Sequence, residues 1–190
     1  PDGAGIAAVR DRRTGVAWFQ PHSDYALGEV IYEAILGQYG REKLCGWGGI
    51  KRDCPLERTH LRFGTPEMIP LPYGAGLRFR ANDLPGSLRS LVLDVVVYDD
   101  LPRVDLYYRL DKYPNTEAEA LYVAFPLANR GEPSQAESLS CVTSVWLDIP
   151  GALMRPGLDQ VSGTATDWHS LQHYFAVEDN ILLDLGEEIG

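Results

Sequence analysis

Between Arg155 and His173 the chain gathers its densest set of chemically capable side chains, with Asp159, Gln160, Asp167, Trp168 and His169 at the centre. This mixture suits a sugar. Carboxylates and amides make directional bonds to ring hydroxyls, while an indole offers a flat apolar platform to the C–H face of a pyranose. The same residue types also build ordinary turns, so composition by itself supports either a glycan contact or turn chemistry. Glycoside hydrolysis needs two carboxyl groups across the scissile bond, about 5–5.5 Å apart for retention and roughly 6.5–9.5 Å for inversion. Asp159 and Asp167 are the pair to examine. Asp94, on the wetter face of an apolar strand, is the next acid to consider, and its ordinary role is that of a hydrogen-bond acceptor beside the strand ladder.

Metal and nucleophile chemistry find less support. The histidines His22, His60, His169 and His173 are isolated, and Cys45, Cys54 and Cys141 lack the paired short spacing of a zinc site. No Gly-rich phosphate loop, nucleophile elbow or Cys–His arrangement occurs. The sequence therefore assigns no catalytic residue and no metal ligand to this chain.

The elements that must hold these residues are strands. Short runs rich in β-branched and aromatic residues alternate with turn clusters, and the 19 Gly and 13 Pro are spread between them instead of pooling in a linker. A hairpin is expected from Ile6 to Phe19, around the polar turn that ends in Gly15. Further strands are expected at Ala26 through Tyr32, where Val30, Ile31, Ala34 and Ile35 would also suit a short helix, and at Thr59–Phe63, Gly76–Arg80, Leu88–Tyr98, Val104–Leu110, Glu119–Phe125, Val142–Ile149, Ala152–Arg155, Ser170–Val177 and Ile181–Leu185. In Leu88–Tyr98 both faces are largely apolar, which predicts a central strand. In Val104–Leu110 the residues Val104, Leu106, Tyr108 and Leu110 oppose Arg103, Asp105, Tyr107 and Arg109, the pattern of a half-buried strand with one wet side. Asp99-Asp100-Leu101-Pro102 should join these two as an antiparallel hairpin. An irregular stretch is expected over 41–72 and an exposed loop over 129–140. Trp47, in the former, either lines a sugar site or pins the loop to the sandwich. One all-β, antiparallel two-layer domain spanning 1–190 is the resulting expectation.

Charge and composition narrow the function. The 27 acidic and 17 basic residues give a formal net charge of −10, which repels phosphate backbones, so nucleic acid is not an expected partner and neutral substrates fit better. No apolar run approaches the roughly 20 residues of a spanning helix. Neither end carries a readable targeting or capping signal, and the chain is expected to be a piece truncated at both ends. The odd cysteine count favours a reducing, cytoplasmic-type compartment, with a Cys45–Cys54 bridge the alternative in an exported protein.

Five motifs in a fixed order carry a family resemblance: Arg13-Thr14-Gly15-Val16; Ala26-Leu27-Gly28-Glu29-Val30-Ile31-Tyr32-Glu33; Asp99 through Asp105; Glu119-Ala120-Leu121-Tyr122-Val123-Ala124-Phe125-Pro126; and Asp159-Gln160 through Asp167-Trp168. Together they resemble the C-terminal region of glycoside hydrolase family 38 and α-mannosidase-like proteins. The 41–58 stretch and the 129–140 loop carry none of it. The resemblance implies an antiparallel supersandwich of the galactose-mutarotase-like kind. It also implies an active site assembled elsewhere, with zinc and the carboxylate nucleophile held by a preceding α/β barrel, and no cofactor in this piece. Asp159, Gln160, Asp167, Trp168 and His169 would then bound a pocket for α-linked, mannose-like sugars, with His169 standing where the family places a substrate-contacting Tyr. The partners implied are a carbohydrate and the barrel of the same chain. A stand-alone, non-catalytic carbohydrate-binding sandwich is the alternative, and an aldose epimerase would further require a positioned acid and base.

Overall fold

The computed structural model describes residues 4–15, 17–19, 25–35, 56–126, 145–164, 168–177 and 181–184. All regular structure among them is β, and every pairing between strands is antiparallel. No helix long and apolar enough to cross a membrane occurs among the described residues. Where one domain over 1–190 was expected, the chain divides into two compact units, Pro1–Ala128 and Asn129–Gly190.

The first unit begins with the expected hairpin, β1 (Val9–Arg10) against β2 (Ala17–Phe19). Its turn is tied by Asp11, whose Oδ1 accepts the Arg13 N–H at 2.8 Å while Oδ2 accepts the Thr14 hydroxyl at 2.9 Å. Strand β3 (Val30–Ile35) lies between β10 (Glu119–Val123) and β4 (Leu56–His60). It starts later than the Ala26 onset of its motif because Gly28 has φ +72°, a left-handed turn that an extended strand cannot contain.

A second sheet runs β5 (Arg62–Phe63), β7 (Gly74–Asn82), β8 (Leu88–Tyr98) and β9 (Val104–Lys112), with β6 (Glu67–Leu71) also paired to β7. The stretch 41–72 is thus not irregular from residue 56 onward, since it holds β4, β5 and β6. The expected strand Thr59–Phe63 is broken at Leu61 into the end of β4 and β5, while the start of β4 has no apolar rhythm and Glu67–Leu71 is mostly exposed. Residues 41–55, with Trp47, and the loop 129–140 lie outside the described residues.

The two sheets of this unit share one core, consistent with a β-sandwich. Val30 and Tyr32 of β3 pack with Leu88, Leu91, Leu93 and Val95 of β8, joined by Leu61 and Phe63. Leu61 sits where the chain leaves β4 for β5, and so leaves one sheet for the other; it is 1% exposed, and its N–H bonds to the Val30 carbonyl at 2.9 Å. Such corners, where a chain switches sheets, join packed layers. On β8, Leu91, Leu93 and Val95 take one face by strict alternation. Leu88 joins them out of phase because the register shifts between Leu88 and Ser90, a β-bulge that inserts Arg89. The central position of β8 and the Asp99–Pro102 hairpin follow the sequence pattern.

The second unit is a sheet in the order β12 (Ala152–Met154), β11 (Val145–Ile149), β13 (Tyr174–Val177), β14 (Ile181–Asp184). Leu147, buried, stands between Met154 and Phe175 in register, a cross-strand apolar row. Trp146 and Asp148 occupy the opposite face of β11 by alternation.

Candidate functional site

The region the sequence singles out lies in the second unit, just past β12. Chain direction reverses at Arg155, where Leu158 and Asp159 donate their N–H groups to the Arg155 carbonyl and Gly157 takes φ +75°. Asp159 closes this turn. Its Oδ2 accepts the Arg155 backbone N–H at 2.9 Å and Nε at 3.0 Å, and its Oδ1 accepts the other arm of the guanidinium at 2.9 Å. These bonds to Arg155 hold its carboxyl below the ordinary carboxylate pKa. Gln160 Oε1 accepts the Gly157 N–H at 2.8 Å. The structure therefore brings Asp159 and Gln160 into one turn and gives each a local bond.

The Arg155 guanidinium also lies 5.0 Å from the centre of the Trp146 ring. A cation over an indole face is attracted by the ring quadrupole. One small assembly thus links Trp146, Arg155 and Asp159 across the turn. Trp168 is 71% exposed, an unusual state for the largest apolar side chain. His169 is half-buried, and Asp167 lies outside the described residues.

Sequence reasoning passed over Asp148 and left His173 without its partner. Asp148, on the Trp146 face of β11, meets the His173 Nδ1 at 2.8 Å, and its carbonyl accepts the Gln172 N–H at 2.8 Å. A period-two reading of Trp146-Leu147-Asp148 would have placed the indole and carboxylate on one side. Nothing in the sequence signals that His173 returns to Asp148, because that pairing crosses 25 residues.

Three polar assemblies among the described residues of the first unit can be set beside it. Glu29, 3% exposed, accepts the Ala26 N–H through Oε2 at 2.7 Å and meets His60 Nδ1 through Oε1 at 2.6 Å. Tyr25 stacks on that imidazole with ring centres 5.8 Å apart. A buried carboxylate on Nδ1 orients the ring and leaves Nε2 as its remaining polar atom. Register places Arg58 opposite Glu33, and the two form an ion pair.

Glu119 forms the second assembly. It accepts hydrogen bonds from Tyr32 and Ser87 at 2.7 Å each and from Asn115 at 3.2 Å, and it pairs with Lys112. Burial raises the Glu119 pKa, but the bonds from Lys112, Ser87, Tyr32 and Asn115 outweigh it and bring it down to about 2. Burial, with the Glu119 bond, pushes Tyr32 up to about 12.

Asp94 forms the third. It accepts both arms of Arg78 and one of Arg109, the ladder-side acceptor role expected of it. Among the described residues, no group of three or more His, Cys, Asp or Glu side chains could hold a metal ion.

Compared with known proteins, the chain matches no family model, no curated protein and no solved structure.

Proposed function

We propose that this chain is the glycan-contacting sandwich portion of a glycoside hydrolase that acts on α-linked, mannose-like sugars. The catalytic acids and the zinc would be supplied by a barrel elsewhere in the same protein. Support comes from the ordered motifs that resemble family 38, including its galactose-mutarotase-like supersandwich, and from the all-β antiparallel architecture. The observation that carries the reading is Trp168, an indole 71% exposed in a unit whose adjoining turn presents Arg155, Asp159 and Gln160. An exposed indole costs apolar hydration unless a flat ligand covers it, and a pyranose face is such a ligand.

In this role Trp168 stacks on the sugar while the Asp159 carboxylate, fixed by Arg155, accepts hydroxyl hydrogen bonds. His169 contributes a neutral imidazole donor or acceptor. Titration of the chain with an α-linked mannobiose should change the tryptophan fluorescence, and W168A should weaken binding by about tenfold or more, as loss of one stacked ring implies. Unchanged affinity in a folded W168A protein would remove the platform. The chain should not turn over an aryl α-mannoside, with or without added zinc. Turnover above a heat-killed control would put the acid and nucleophile here instead. The coding sequence upstream of Pro1 separates an enzyme portion, preceded by a barrel of about 250 residues, from a free-standing binding module.

A further inference from the structure

The outer face of the five-stranded sheet carries a basic arrangement that neither the core nor the candidate glycan site uses. Along β7, Phe79 packs on the core, so Arg78 and Arg80 emerge on the opposite side. Register sets Arg78 opposite Asp94, Arg80 opposite Val92, and Val92 opposite Arg109 of β9. Arg80 and Arg109 thus flank Val92, with Cα atoms two strand spacings or about 10 Å apart. Arg78 stands beside Arg80 on the same strand.

Three guanidiniums in this space face one buried carboxylate. Asp94, whose side chain is 8% exposed, accepts Arg78 Nε and Nη2 at 2.8 Å each and Arg109 Nη2 at 2.7 Å. Its carboxyl is ionised at all ordinary pH, held at about 2 first by the Arg78 bond, against the opposing effect of burial, and then by Arg109. It orients two guanidiniums and cancels one charge. The nearest carboxylate to Arg80 is Glu67 at 3.7 Å, and both side chains are more than half exposed, so that pair contributes little. Arg109 gives one arm to Asp94 while its side chain stays 54% exposed. Glu67 also stands opposite Arg78 in register, so the three guanidiniums meet two carboxylates, while Arg80 and Arg109 keep exposed side chains in a chain of net charge −10.

We infer that Arg78, Arg80 and Arg109 form a seat over Val92 for one tetrahedral oxyanion, a phosphate group, either free or esterified to a sugar. Guanidinium forks match phosphate oxygens bidentately; Arg78 gives its Nε–Nη2 edge to Asp94, so Arg80 and Arg109 supply the forks and Arg78 only its remaining arm. The half-buried Val92 supplies an apolar floor between them. The negative field of the whole chain argues for a single phosphate and against a polyanion.

The test is amide NMR of the full chain at low ionic strength, titrated separately with inorganic phosphate, a hexose 6-phosphate and the neutral hexose. Expected are shifts at Arg78, Val92 and Arg109 with both phosphorylated probes and none there with the neutral hexose. Affinity should fall with added salt, and by about tenfold or more in R80A/R109A. Equal affinity for both probes assigns the seat to the free ion; tighter binding of the ester assigns it to a phosphorylated sugar. R80Q, which leaves both Asp94 bonds intact, keeps the test valid if the double variant does not fold, and it too should lose several-fold in affinity. No shift at these amides with millimolar phosphate or ester, or binding unaltered in folded R80Q, overturns the proposal.

Discussion

At the scale of single residues, the polar interior of the first unit rests on acids held fully charged. Asp94 and Glu119 ionise at about 2 in the fold against ordinary values of 3.8 and 4.5. A depressed carboxyl pKa means that the unfolded chain takes up protons first. The stabilisation is complete above about pH 4.5 and is lost as pH falls from there toward 2. Thermal midpoints should therefore drop steeply over that window. E119Q should melt lower at pH 7, by about 1–3 kcal/mol for bonds left unmade, yet lose less on acidification. An acid slope identical to that of the unmodified chain would show that Glu119 does not carry the linkage. Gly86 offers a second check, since its φ is +59° and a Cβ there would lie 1.9 Å from the Tyr32 hydroxyl oxygen. Gly86→Ala should cost more than about 1 kcal/mol in denaturant unfolding, because it is both strained and displaces the tyrosine that bonds Glu119. None of this was legible in the sequence, where Glu119 reads as the polar start of a strand. Its partners Tyr32 and Ser87 lie 87 and 32 residues away.

Among elements, the strands that could be read were those with a single apolar rhythm. Leu88–Tyr98 has the same bounds in sequence and structure because nearly every residue after Ser90 alternates between two apolar faces. Strand β6 and the start of β4 were missed because their stability comes from neighbours: β4 lies along β3 and β6 along β7, with exposed side chains such as Leu56 and Met68. The turn at Arg155–Gln160 was legible both as a site and as a turn, and its bonds are those of a turn with the carboxylate still at the surface. The bulge at Arg89 makes its own prediction. Deleting Arg89 removes the extra residue and leaves Leu88, Ser90 and Leu91 in strict alternation with Leu88 still facing the core, so the deletion should cost little more than Arg89→Ala. A deletion variant that unfolds far more easily than Arg89→Ala would refute this reading of the bulge. For scale, Leu93→Ala, at a site 2% exposed, should cost about 2–5 kcal/mol.

For the molecule as a whole, the first unit owns a core, drawn from two sheets within Pro1–Ala128. A chain ending at Ala128 should accordingly fold by itself and unfold in one cooperative transition, with the acid sensitivity of the full chain. A truncated product without cooperative melting would mean that this core needs residues beyond 128. The all-β class was readable from turn spacing and β-branched runs; the division into two units was not, because the polar stretch over 129–140 reads equally as an exposed loop within one domain. One feature of the first unit reaches further. The chain passes through buried Leu61 from one sheet to the other, so its hydrogen bond to Val30 in one layer and the pairing of Arg62 with Asn82 in the next are separated by a single peptide step. A slip of either layer would drag the other out of phase. Misregistered forms cannot accumulate one sheet at a time, and the corner acts as a proofreader of assembly, rejecting partial errors by making them total.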